Sequence, residues 1–163
     1  LDAGPVLIQS KIKITKETNH KELSEQMSEL GAKLILDTFE IIKNKKVNFI
    51  EQNESEATYA KKIEKIETRI NWKDDAGKIL AKINAFCPNP GCWFELDGIR
   101  MKIIKAKEII IKGAPGTILD EKLTIACFRN AIQIIELQKE GKQKMTTNEF
   151  LRGNKIKIGQ SLN

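Results

Sequence analysis

The chain lacks any apolar run near the roughly 18–20 residues that a membrane-spanning helix needs, and no charged leader followed by an apolar block opens it. It therefore reads as soluble and cytoplasmic, with no membrane partner. Histidine is nearly absent: the one histidine, His20, directly follows Asn19 at a helix start and reads as a surface residue. Cysteine is scarce and odd in number, three in all, with no Cys-x-x-Cys pair, which argues against both a disulfide framework and a zinc site. Cys87 and Cys92 bracket a proline turn and read as small, half-buried thiols, so no metal is expected. Aromatic residues make up only 6%, and stacking on unpaired bases is a weaker expectation than contact with phosphates.

Against these absences stands one sharply written stretch, Ala85 to Ala106. Asp97-Gly98 separates two β-prone runs and tolerates the positive φ angles of a two-residue hairpin turn. Counting outward from it pairs Leu96 with Ile99, Glu95 with Arg100, Phe94 with Met101 and Trp93 with Lys102. Opposite charges then face each other on one side and apolar groups on the other. Upstream, Pro88-Asn89-Pro90-Gly91 cannot continue a helix and turns the chain into the hairpin.

The remaining chain packs around this hairpin. Pro5 to Ile14 alternates apolar and polar and predicts a β segment with one wet side. Asn19 and Glu22 mark a helix start, and Leu23, Met27, Leu30, Leu34 and Ile41 keep helical spacing. Gly31 divides this into one bent helix or two, over 19–30 and 32–43. Periodicity fades after Asn44, which predicts a linker over 44–58 between a first part, 1–43, and a second domain, 59–163. In that domain Ala76, Ile79, Leu80, Ile83 and Phe86 predict a short helix behind Asp74 and Asp75. Beyond the hairpin, Thr117 to Leu119, Leu123 to Cys127 and Ile132 to Leu137 bring the strands to about five, and Thr146 or Thr147 caps a last helix through Leu151. Short antiparallel strands beside one helix fit a small closed or partly open barrel of the oligonucleotide-binding (OB) kind, so the fold class is α+β.

Charge divides at the same boundary. Residues 1–56 carry eight Lys or Arg against ten Asp or Glu, or −2, whereas residues 57–163 carry twenty against twelve, or +8. A basic domain gains affinity for a phosphate backbone by releasing condensed counterions, which makes nucleic acid the leading partner class.

The run Ala85-Phe86-x-Pro88-x-Pro90-Gly91-x-Trp93-Phe94 resembles the second domain of methionyl-tRNA formyltransferases. Four further stretches agree: Ala57 to Trp72, Ala114-Pro115-Gly116-Thr117-Ile118, Leu137 to Met145 with Glu149 to Gly153, and Leu1 to Leu7, which looks like the close of that family's catalytic domain. The resemblance implies an α/β catalytic-domain tail (strand plus helices) followed by an OB-like tRNA-binding barrel. It also implies formyl transfer from 10-formyltetrahydrofolate to the amino group of methionyl initiator tRNA. By resemblance Asp2 matches the catalytic aspartate. The family's Asn-x-His motif and folate-binding segments have no counterpart in this sequence, so the chain by itself is expected to be inactive. Lys61, Lys62, Lys65 and Arg69 lie in the stretch that enters the second domain, and Lys62 and Lys65 match basic positions there. Lys102, Lys105, Lys107, Lys139, Lys142, Lys144 and Arg152 extend a positive track over the barrel. Asn84 departs from the family's usual arginine, which removes one cation. A free-standing basic RNA-binding module and a sibling enzyme acting on an amino sugar are the alternative readings. No oligomer is indicated.

Overall fold

The computed structural model describes residues 3–162. Backbone proximity divides the chain into two units: residues 1–15 with 22–62, and residues 16–21 with 63–163.

The first unit is built on one helix, α1 (His20–Lys43), whose first two residues group with the second unit. It starts one residue after Asn19 and runs through Gly31 without a break, so of the two expected arrangements, one helix or two, the structure takes the single helix. A Cβ on Gly31 would meet nothing within 4 Å, and this glycine only lowers local helix propensity. No residue of α1 is buried. Met27, Ile35, Leu36, Phe39 and Ile42 are 52–66% exposed. The expected strand over Pro5–Ile14 is absent. A strand requires a neighbour to complete its hydrogen bonds, and among the described residues the one bridge is to Ile50, through reciprocal 2.8 Å bonds with Val6. A short 3₁₀ turn at Glu54–Glu56 is capped by the Asn53 side chain.

Among the described residues the second unit contains five strands and two α-helices. Helix α2 (Ala76–Phe86) and strands β1 (Cys92–Leu96) and β2 (Ile99–Ile109) stand where the sequence predicts them. The β1–β2 register also agrees pair by pair with the count outward from Asp97-Gly98, whose φ angles are 50° and 74°. β3 (Thr124–Ala126), β4 (Ala131–Lys139) and β5 (Lys144–Thr146) complete an antiparallel sheet in the order β1-β2-β4-β3, with β5 also on β4. Thr117 and Ile118 form isolated bridges rather than the expected strand, and β5 takes its place in the count of five. The sheet is an open path, and among the described residues no ladder closes it into the expected barrel. Helix α3 (Thr147–Gly153) starts at a reciprocal capping box: Thr146 Oγ1 accepts from the Glu149 amide, and the Glu149 carboxylate accepts from the Thr146 amide.

Alternation on β1 buries Cys92, Phe94 and Leu96 and leaves Trp93 and Glu95 on the wetter face. The core sits under that inner face. Phe94, Met101, Ile103, Ile125, Ile132, Ile134 and Leu137 pack against Ile79 and Ile83 of α2 and Phe150 of α3. Trp72 meets Phe94 edge to face at 5.7 Å, one of the preferred geometries of aromatic pairs. No helix among the described residues is long and apolar enough to cross a membrane.

Candidate nucleic-acid interface

Strand β2 carries the chemistry. Strict alternation from Met101 and Ile103, both buried, would turn Lys105 and Lys107 toward the core. The structure avoids this with an irregularity. Ile103 pairs with Leu137, the next ladder pair is Lys105 with Glu136, and the following one is Ala106 with Ile134, so each strand passes an extra residue. Ala106 now shares the inner face with Ile134, while Lys105 and Lys107 join Arg100 and Lys102 on the outer one. The Ile104 carbonyl, left out of the ladder pairs, accepts a bond from the Cys87 thiol at 3.1 Å.

Cross-strand partners share a face. Trp93 pairs with Lys102, Lys102 with Gln138 and Gln138 with Lys144, which makes one row across four strands. The neighbouring row contains Lys105, Glu136 and Thr146. Among the described residues, Lys102, Lys105, Lys107, Lys139, Lys142 and Lys144 form no ion pair. Lys102 lies across Gly91 and donates to Asn89 Oδ1 at 3.5 Å. Together with Arg100, Lys139, Glu140 and Pro90 it lines a cavity of about 230 Å³.

Two side chains of this face do not act as the sequence reading expects. Glu95 bonds Arg69 Nη2 at 2.9 Å rather than its cross-strand partner Arg100. Arg100 instead stands over the Trp93 ring, 4.3 Å from its centroid, with Arg69 at 5.4 Å. Trp93 is fixed in turn by its Nε1–H bond to Thr68 Oγ1 at 3.0 Å. Arg69 is thus a tied residue, whereas Arg100, absent from the sequence-derived track, belongs to it. Its signal was readable, because the hairpin register sets it two residues before Lys102 on the same face.

The other candidates are scattered. Lys65 is exposed and opens a 3₁₀ turn that Glu64 and Glu67 cap and that is buried only at Thr68. Lys142 sits in the β4–β5 turn, Arg152 in the last turn of α3, and Lys139 opposite Met101 at the end of β4. Lys61 and Lys62 are exposed and belong to the first unit, and Asp2 lies outside the described residues. Asn84 donates to the Lys16 carbonyl at 2.7 Å. Cys92 and Cys127 have no acid–base use near neutral pH. Desolvation pushes Cys92 up to about 11 and Cys127 up to about 12. Among the described residues no three His, Cys, Asp or Glu side chains gather as metal ligands.

A family profile described as formyl transferase, C-terminal domain, matches residues 62–155. The methionyl-tRNA formyltransferase of Bradyrhizobium diazoefficiens is 40% identical over 98% of the chain and 52% of that protein. That of Pelagibacter ubique is 39% identical over 99% of the chain and 53% of that protein. The chain thus spans about half the length of the curated relatives it matches. Among solved structures, a variant of HypX from Aquifex aeolicus superposes on 94% of the chain and 29% of its own, with a TM-score of 0.71 at 24% identity. HypX in complex with tetrahydrofolic acid superposes on 98% of the chain and 31% of its own, with a TM-score of 0.69 at 22% identity. At such identities the likeness speaks for the fold alone. The profile covers more than half of the residues and takes in the proline turn, the hairpin and the whole lysine-bearing sheet, and on that ground the chain belongs to the formyltransferase family, as a bearer of its C-terminal domain.

Proposed function

We propose that this chain is the tRNA-binding C-terminal portion of a cytoplasmic methionyl-tRNA formyltransferase. On this reading the complete protein moves a formyl group from 10-formyltetrahydrofolate to the amino group of methionyl initiator tRNA. Residues 1–43 are the tail of the catalytic domain, residues 44–58 the connection, and residues 59–163 a partly open, OB-like domain that holds the tRNA. The observation that carries the proposal is the outer face of β2, where Arg100, Lys102, Lys105 and Lys107 stand together without a salt-bridge partner among the described residues. Cations so placed gain from phosphates what they do not gain within the protein. The names of the relatives support this reading of the substrate. The exposed apolar stripe of α1 suits a helix made to be covered by further chain, since fully burying each such side chain contributes about 1.5–3 kcal/mol. The formyl donor belongs to the complete protein, because the residues described here include none that the family resemblance assigns to folate. Asp2 would be its general base, and Asp2→Asn in the complete enzyme is expected to slow single-turnover formylation by roughly 10²–10⁴-fold.

The test of the tRNA reading is a salt series. Four phosphate contacts imply that raising salt from 50 to 200 mM weakens binding roughly 150-fold, at about 0.9 logarithmic units of slope per contact. Replacing Lys102, Lys105 and Lys107 by alanine leaves Arg100 and reduces that loss to roughly three- to four-fold. Lys122→Ala, in the turn before β3, removes a charge elsewhere and should leave the slope unchanged. An unaltered slope in the triple variant, or no tRNA binding at low salt, refutes the reading.

A further inference from the structure

Away from the β2 lysines, a cavity of about 740 Å³ lies where the start of α2, the exit of β2 and the β3–β4 turn meet. Its most unusual wall is Phe128, a large apolar ring left 68% exposed on a backbone that is held firmly. The Phe128 amide donates to the Asp74 carbonyl, and the Ala76 amide to the Arg129 carbonyl, both at 3.1 Å. Arg129 clamps the same turn to α2 through two bonds to Asp75, Nε to Oδ1 at 3.0 Å and Nη2 to Oδ2 at 2.6 Å. The ring is therefore presented to solvent without being loose.

The polar groups around it are equally particular. Asn130 Nδ2 donates to Glu108 Oε1 at 2.7 Å, which leaves Glu108 Oε2 and Asn130 Oδ1 as acceptors. Gly77 keeps the space over Glu108 Oε2 open, since a Cβ there would stand 3.7 Å from it. Lys112 lines the cavity and forms no ion pair among the described residues. A ring face, a cation and two outward acceptors match one chemical object: a single unstacked nucleotide. Its base lies on the ring, its phosphate meets the ammonium, and its exocyclic amino group meets the acceptors.

We infer that this cavity takes one unpaired nucleotide of the RNA, with its base on Phe128 and a preference for adenine or cytosine over uracil. The inference rests on the tRNA reading above and adds to it a subsite that works by stacking rather than by charge. Adenine and cytosine offer an amino group to Glu108 and Asn130, whereas uracil presents a carbonyl to the same acceptors.

The test uses single-stranded oligo(A) and oligo(U) ribonucleotides as probes, titrated into the 163-residue chain by fluorescence anisotropy at several salt concentrations. Phe128→Ala is expected to weaken oligo(A) binding roughly ten-fold or more at every salt concentration, with the salt slope unchanged. Phe128→Tyr keeps the ring and should restore binding to within about two-fold. Lys112→Ala should instead lower the slope by roughly 1. The parent should prefer oligo(A), and Glu108→Gln should narrow that preference. If the parent binds both probes and Phe128→Ala binds within about two-fold of it, this inference is wrong while the tRNA reading stands. If the parent binds no RNA at low salt, both fail.

Discussion

Three glycines share a left-handed backbone but differ in what a methyl group would strike, which makes them a graded test of the packing around the site. At Gly98, φ is +74° and a Cβ would meet nothing within 4 Å, so Gly98→Ala bears conformational strain alone. A left-handed non-glycine residue costs roughly 1–2 kcal/mol, and the lost freedom of the unfolded chain returns roughly 0.4–1, for a net loss of about 1 kcal/mol. At Gly91, φ is +81° and the added carbon would stand 1.9 Å from Lys102 Cε. The clash is with the far end of a flexible side chain, which can swing away, so Gly91→Ala should lie within about 1 kcal/mol of Gly98→Ala. At Gly116, φ is +85° and the obstacle is the Leu162 carbonyl oxygen, 2.6 Å away. Backbone must move there. Gly116 also accepts from the Leu162 amide at 2.7 Å and donates to the Ala126 carbonyl at 2.8 Å, so relief strains a hydrogen bond worth about 1 kcal/mol besides an overpacking cost of roughly 1–3. Gly116→Ala is therefore expected to lose about 3–5 kcal/mol. Urea unfolding of the three variants measures the order. A Gly116→Ala protein as stable as Gly98→Ala would refute the assignment of the C-terminal segment to this packing.

Two further outcomes follow from titration. Asp75 is held below its ordinary value first by its hydrogen bond from Arg129, and Glu149 first by the Thr146 amide. The unfolded chain therefore binds protons before the folded one as pH falls, and stability present above the ordinary carboxylate range is lost through and below it. Thermal melts from about pH 6 to about pH 3 should show this slope, with Asp75→Asn and Glu149→Gln flattening it. Cys92 and Cys127, pushed up to about 11 and about 12 by burial, should resist iodoacetamide in the native protein at mildly alkaline pH and react at once in urea. Fast native labelling would show that these thiols are not enclosed.

What the sequence made legible was whatever depends on neighbours in the chain. Asp97-Gly98 set the β1–β2 register without reference to anything else, and every pair of it stands in the structure. Helix α2 followed from the spacing of Ala76, Ile79 and Ile83, and α3 from the neighbouring Thr146 and Thr147, of which Thr146 is the cap. Pro5–Ile14 failed for the opposite reason: its alternation is genuine, but a strand exists only where another supplies bonds, and among the described residues Ile50 alone forms a bridge to it. The cavity at Phe128 was equally hidden. It assembles residues near 75, 108, 112 and 128, and no local pattern announces that tertiary meeting.

The lysine face shows how the two kinds of information combine. Read with period two, the segment from Arg100 to Lys107 contradicts itself, because it sets Lys105 and Lys107 on the side of Met101 and Ile103. The adjacent pair Ile103-Ile104 marks where the period must slip, yet which residue leaves the ladder depends on β4, thirty residues away. The slip falls at Ile104 on one strand, and the matching one on β4 falls between Glu136 and Ile134, so register is recovered and both faces keep their chemistry. Ile104 has no partner in the register, and its carbonyl accepts from the Cys87 thiol in the turn that the prolines make. The proline turn and the lysine strand are therefore parts of one device. The turn supplies Cys87 to the irregularity and Gly91 to the seat of Lys102, and the irregularity turns Lys105 and Lys107 outward to join Arg100 and Lys102 while the strand still builds the core.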